Sequence, residues 1–235
     1  MTYVRLPDDA QRPLPFYLAL EEYVARSMPA GDYLLLWQVA PTVIFGRNQH
    51  LESEVDADYC RRHGIAMYRR KSGGGCVYAD QSNLMLSFVT PTEDVGFAFN
   101  RYVNMVLLVL RKLGIEAVGT RHNDVMIGDR KVSGTACYKL PNRSIVHGTL
   151  LYDTNMEHML HAITPSAEKL KSKGIQSVRQ RITLLKDYTD VGIEDVKALI
   201  LRTLCDDELC LTDDAVRAVG QIEQQYHEEQ FIHLV

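Results

Sequence analysis

This 235-residue sequence has no Cys-x-x-Cys pair, and its five cysteines (Cys60, Cys76, Cys137, Cys205, Cys210) are odd in number. That usage argues against a zinc site and against a disulfide framework. No apolar run approaches membrane-spanning length, and the first residues, MTYVRLPDDAQRPLPF, carry acids and prolines where a signal peptide has its apolar core. A cytoplasmic protein with no membrane association is expected. Positive charge is not in excess: 26 Lys and Arg face 30 Asp and Glu, a net charge of −4. General nucleic-acid binding is therefore not expected. No internal repeat, low-complexity tract or Ser/Gly/Pro-rich linker divides the chain, so one domain over residues 1–235 is expected. The dinucleotide fingerprint GxGxxG before a helix and the phosphate loop GxxxxGK[ST] are also missing. Any phosphate handling needs another architecture.

What is present reads as an ordinary globular chain, 46% hydrophobic and 24% charged. Leu14 to Met28 has apolar residues at helical spacing after a proline-rich lead-in. YLLLW and TVIFG then read as neighbouring strands. SEVDADYCRRHG predicts a short helix capped by Ser53, with early acids, late arginines and a glycine stop at Gly64. IAMYRR, CVYAD and NLMLSFV predict strands, FAFNRYVNMVLLVLRKLG a long helix closed by Gly114, and residues 116–139 strands around a Gly128-Asp129 turn of type II′. SIVHGTLLYD is one more strand. Helices are expected at TNMEHMLHAI, IEDVKALILRTL and TDDAVRAVGQIEQQYHEE. The class is α+β, with a mixed, largely antiparallel sheet flanked by helices.

Charge is uneven along the chain. Lys169, Lys171, Lys173, Arg179, Arg181 and Lys186 face one acid between residues 168 and 186, whereas twelve acids face three bases from Asp187 onward. The band suits an acidic partner or, equally, a solvated face.

Three segments invite chemistry. In RRKSGGGCVYAD, residues 69–80, three glycines sit between strands, where backbone N–H groups can approach a carboxylate or phosphate, and Arg69, Arg70 and Lys71 add cations. A flexible turn beside a solvated basic edge explains the same residues. In RHNDVMIGDRKVSG, residues 121–134, Asn123 and Asp124 could offer oxygen ligands to Mg²⁺, and Lys131 a cation for a developing negative charge. A plain hairpin tip also reads this way. In HGTLLY, His147 suits a buried structural histidine as well as a catalytic one.

Taken in order, GRNQ (46–49), RRKSGGGCVYAD, NLMLSF, RHNDVMIGDRKVSGTA, HGTLLYD and KSKGIQSVRQRITLL (171–185) resemble the lipoate–protein ligase A family over about Leu14 to Leu185. The resemblance implies a fold related to biotin ligases and class II synthetases, and ATP- and Mg²⁺-dependent activation of lipoate to lipoyl-AMP. Transfer would follow to a lysine of an apo-lipoyl domain, in the E2 subunit of a 2-oxoacid dehydrogenase or in the glycine cleavage H protein. It implies Lys131 as the catalytic cation and Asp124 as the Mg²⁺ ligand. Arg70, Ser72, Gly73, Gly74, Gly75, Cys76, Asn83, Asn123, Ser133, Gly134, His147, Gly148 and Thr149 would hold the acyl-adenylate, with Arg70 facing the phosphate. Val77, Tyr78, Leu84 and Leu86 would pack around the acyl chain.

Two departures from the family pattern bear on function. IEQQYHEEQFIHLV resembles the approach to a C-terminal accessory domain that does not follow, so a separate accessory chain is an expected partner. Cys76 stands where alanine is common, and Cys137 where glutamine is. Related octanoyltransferases use a cysteine thioester and no ATP, which makes an ATP-independent transferase the rival reading.

Overall fold

The computed structural model describes residues 1–164 and 181–233. Its first strand, β1 (Thr2–Arg5), precedes helix α1 (Leu14–Ser27), β2 (Tyr33–Trp37) and β3 (Thr42–Phe45). Two short helices follow, α2 (Leu51–Glu54) and α3 (Ala57–Arg62), then β4 (Ala66–Arg69), β5 (Val77–Ala79) and β6 (Asn83–Thr90). Helix α4 (Val95–Lys112) leads to β7 (Val118–Gly119), β8 (Val125–Ile127), β9 (Arg130–Leu140), β10 (Arg143–Leu151) and α5 (Met156–Ala162). Beyond Arg181 come α6 (Ile193–Leu204), β11 (Asp207–Cys210), α7 (Asp213–Glu223) and α8 (Glu229–His233).

An eight-stranded sheet has the order β11-β1-β2-β6-β10-β9-β8-β7, and a three-stranded sheet the order β4-β3-β5. In the larger sheet β11, β1 and β2 run parallel and every other pairing is antiparallel, so the expected α+β class with a mixed, largely antiparallel sheet is what is found. Every residue of β6 and β10 is buried, because helices cover both faces. Met85, Val89 and Ile145 pack with α1 and α7, while Leu84, Leu86, Phe88, Val146 and Leu150 pack with α4 and α6. Each such side chain contributes about 1.5–3 kcal/mol by leaving water. The period of two along β10 then puts His147 and Thr149 on the α1 face with Ile145.

Local signals work where local forces decide. Asp94, Asn155 and Thr212 cap α4, α5 and α7 through side-chain acceptors. Gly64 and Gly114 stop their helices at φ +65° and +77°. Gly128 holds φ +59° with Ile127 paired to Arg130, the backbone a type II′ turn needs. The helix expected from Ser53 instead starts at Ala57, capped by Asp56, whose carboxylate accepts from Tyr59 N at 2.7 Å. A bridge between Val55 and Ile163 interrupts the chain there. Strands β1 and β11 were not expected from sequence: they pair with each other across some two hundred residues, which no local pattern reports. Among the described residues, no helix is long and apolar enough to cross a membrane.

Candidate active site

A cavity of about 750 Å³ opens between the α1 face of the large sheet and the small sheet. Its apolar part includes Leu18, Trp37, Ile44, Val77, Met85 and Ala136, and its polar rim includes His122, Asp124, Lys131 and Arg181. The glycine loop and β10 close it, through Gly74, Gly75, Cys76, His147, Gly148 and Thr149.

Lys131 follows the β8–β9 turn and lies across Gly134. A Cβ built on Gly134 would meet its Nζ at 2.3 Å and Cε at 2.4 Å. The ammonium stands 2.7 Å from Asp124 Oδ1, and Arg181 donates to Asp124 Oδ2, also at 2.7 Å. Asp124 is held from behind, its N–H on Thr120 Oγ1 and its carbonyl taking the Thr120 N–H. The result is a cation pair bridged by one buried carboxylate at the cavity rim. Both Asp124 oxygens face cations, whereas the Mg²⁺ expected there would take one or two carboxylates together with waters or phosphates. Among the described residues, no group of three or more His, Cys, Asp or Glu could hold a metal ion.

The basic run before the glycines is engaged with the protein. Arg69 is fully buried and donates to the carbonyls of Gly46, Arg47, Gln49 and Ile232. Arg70, also buried, donates from Nε to Ser72 Oγ at 2.9 Å and to the carbonyls of Ile44, Gly73 and Gly75 at 3.0, 2.7 and 2.8 Å. Burial pulls its guanidinium down to about 10, which leaves it charged near neutrality. Four of its donors thus clamp the glycine loop and its surroundings, and Arg70 itself lines the cavity. Lys71 pairs with Glu22 at 2.6 Å and sits over the Tyr226 ring. Within the loop only Gly74 is at positive φ, +92°, while a Cβ at Gly73 or Gly75 would meet nothing within 4 Å. Gly74 is there for the turn; Gly75 leaves its stretch of cavity wall clear for a ligand.

Other expected site residues scatter. Asn83 is fully buried, takes the Thr154 hydroxyl and lies off the cavity. Asn123, at φ +60°, offers its carbonyl to Thr135 Oγ1 at 2.7 Å. Ser133, within β9, is fully buried, and Ser72 is buried between Arg70 and His147. Gly148 is a packing position, since a Cβ there would meet Gly134 O at 2.6 Å and Tyr102 OH at 2.7 Å. Leu84 and Leu86 belong to the opposite face of the sheet, and Met85 lines the cavity in their place. Cys137 also packs on that far face, and burial pushes its thiol up to about 11. Of the basic band, Lys169, Lys171, Lys173 and Arg179 lie outside the described residues; Arg181 is on Asp124 and Lys186 on Asp153.

Two buried carboxylates gave no sequence signal beyond adjacent glutamates on a helix. Glu21 binds His147, and Glu22 binds Lys71, Arg26 and Tyr226. Burial pushes the Glu22 carboxyl up, but Lys71, Tyr226 and Arg26 together hold it below the ordinary glutamate value. Its stabilisation is therefore complete above the unfolded pKa and is lost as pH falls through the lower folded one. Urea unfolding between pH 7 and 3 should show a steeper acid limb for the parent chain than for Glu22→Gln. Equal slopes would remove Glu22 from the account.

An apolar cavity with cations at its rim has the form that suits a small molecule with an apolar body and an anionic head. The chain belongs to the lipoyl protein ligase A/B catalytic domain family, whose model matches residues 13–205. It is 38% identical over 191 residues to lipoate–protein ligase 1 of Staphylococcus aureus, covering 80% of this chain and 58% of that protein. The chain thus spans less than two thirds of that relative's length. A chain from the structure of a bi-partite lipoate protein ligase and its E2 lipoyl domain, from Thermoplasma acidophilum, superposes with a TM-score of 0.86 at 27% identity, over 99% of this chain and 95% of that one. A T. acidophilum structure with bound lipoic acid gives 0.86 at 25% identity over the full length of both chains.

Proposed function

We propose that this chain activates lipoate with ATP and passes the lipoyl group to a lysine of an apo-lipoyl domain. The carrying observation is the Lys131 ammonium, laid over side-chain-free Gly134 at the rim of an apolar cavity. In the first step a lipoate carboxylate oxygen bonds to the α-phosphorus of ATP and the bond to the bridging oxygen breaks, releasing pyrophosphate. Lys131 neutralises charge that grows on the phosphorus oxygens, and Arg181 is the second cation within reach of the same anion. Phosphate oxygens compete with Asp124 for both. In the second step the neutral amine of the acceptor lysine attacks the acyl carbonyl, AMP leaves, the amine gives up a proton and an amide forms. Lys131 then faces the carbonyl oxyanion. The apolar wall around Trp37, Leu18 and Met85 takes the lipoyl chain, and the similar T. acidophilum structure with bound lipoic acid supports lipoate as the ligand class.

The E2 lipoyl domain of the T. acidophilum system is the model for the acceptor class; the glycine cleavage H protein is the other candidate. Likeness to a chain of a bi-partite ligase makes a separate accessory chain a partner to supply in the assay. Purified protein is incubated with lipoate, ATP and apo-lipoyl domain, with and without that chain, and pyrophosphate and acceptor mass are followed. ATP-dependent lipoylation supports the ligase. Transfer only from an acyl carrier protein would support the rival transferase.

The rival needs a thiolate in the cavity, and only Cys76 of the two candidate cysteines lines it. Adenylate chemistry needs none. Cys76→Ala and Cys137→Ala should each keep ATP-dependent ligation within about twofold, because neither thiol takes part in the chemistry. An acyl-thioester trapped on Cys76, together with an inactive Cys76→Ala, would overturn the ligase reading.

A further inference from the structure

We infer that Glu21 is a positioning residue for this reaction, acting on the glycine loop through His147, Ser72 and Arg70. Glu21 sits on α1 and is almost fully buried. Its Oε2 lies 2.8 Å from His147 Nδ1, and His147 Nε2 lies 2.7 Å from Ser72 Oγ. Ser72 Oγ in turn takes the Arg70 Nε–H at 2.9 Å. The other Glu21 oxygen takes the Ser87 hydroxyl, and Ser87 takes the Trp37 indole N–H at 2.9 Å.

Proton counting gives this chain one direction. Arginine only donates, so Ser72 accepts from Arg70, and its single hydroxyl proton has His147 Nε2 as its one acceptor among the described contacts. The imidazole then carries its proton on Nδ1 and donates it to Glu21, while Ser87, having accepted from Trp37, donates to the other carboxylate oxygen. Only a group with two acceptors fits at position 21. Glutamine would set an NH₂ against either His147 or Ser87. Facing His147, it would push the imidazole proton to Nε2, which leaves the Ser72 hydroxyl proton without an acceptor.

The consequence reaches the cavity because Arg70 is the end of the chain. Its remaining donors hold Gly73 O, Gly75 O and Ile44 O, and these fix the course of the loop whose Gly74 is at positive φ against the guanidinium. The Glu21 charge also favours the charged form of Arg70 across the buried interval. Tilting the guanidinium moves the wall formed by Gly74 and Gly75 without any contact between Glu21 and a ligand.

The activity arm rests on the ligase reading; the spectroscopic arm does not. In ¹⁵N-labelled protein, His147 should show a protonated Nδ1 and a bare Nε2. Glu21→Gln should change the His147 ring ¹⁵N shifts and shift the amide resonances of Gly73, Gly74 and Gly75. In lipoyl transfer from lipoyl-AMP, Glu21→Gln and Ser72→Ala should each lower kcat roughly tenfold through misplacement, with the Kd for lipoyl-AMP within about twofold. The double variant should lose no more than the worse single, as members of one unit do. Should Glu21→Gln fail to fold, Ser72→Ala carries the same amide and kcat readouts. A His147 protonated on Nε2 in the parent, glycine amides that stay in place, or losses that multiply in the double variant would each overturn the relay, whether or not ligation is observed.

Discussion

Lys131→Ala should form lipoyl-AMP about two to three orders of magnitude more slowly than the parent, the loss expected when one aimed charge-stabilising donor is removed from a transition state. The fold should survive, because the side chain lies at the cavity rim and its β9 backbone pairing is untouched. Asp124 keeps Arg181 as a partner, so no carboxylate is stranded without a cation. Pre-steady-state formation of lipoyl-AMP, with a circular dichroism spectrum of each protein, checks both halves. An alanine variant with parental turnover and an unchanged spectrum would mean that the cation acts elsewhere.

Gly134→Ala and Gly148→Ala should fail in different ways, although the two glycines are cross-strand partners of neighbouring residues. At Gly134 the atoms in the way are the far end of the Lys131 side chain, which can move aside. Folding is retained and Lys131 is displaced, with an activity loss of about a hundredfold, as for a misplacement near 1 Å. At Gly148 the obstacles are the Gly134 carbonyl and the hydroxyl of fully buried Tyr102, which cannot yield cheaply. Overpacking there should lower stability by roughly 1–3 kcal/mol. Thermal melts and kinetics on both variants separate the two; equal melting losses would mean that Lys131 does not lie over Gly134 in solution. Gly74→Val is a poor probe of ligand approach, since its φ of +92° strains a branched side chain with or without a ligand.

The elements governed by period, cap and glycine stop were readable in advance, as in α1, α4, α6 and the strands of the sheet centre. Those governed by distant pairing were not. Strands β1 and β11 exist because the two ends of the chain meet, and the bridge from Val55 to Ile163 moves the start of α3. The same division runs through the site. Lys131, Asp124, Gly134, His147 and the glycine run could be picked out by residue type and order, and the fold brings them to one cavity. Arg69, Arg70 and Lys71 could not be assigned, because a cation in a sequence does not declare its partner, and here the partners are carbonyls and Glu22. Glu21 and Glu22 look like a solvated pair until α1 is packed against the sheet and α7. Leu84 and Leu86 are as apolar as a cavity wall needs, but the pleat assigns the cavity to Met85.

The most direct test of the central claim supplies preformed lipoyl-AMP and apo-lipoyl domain, without ATP, and follows acceptor mass. This isolates the cavity and Lys131 from adenylation and from any accessory chain. The account predicts rapid lipoylation by the parent chain and transfer about two to three orders of magnitude slower with Lys131→Ala. Lipoylation at the uncatalysed rate with the parent, or equally fast transfer by both proteins, would contradict it.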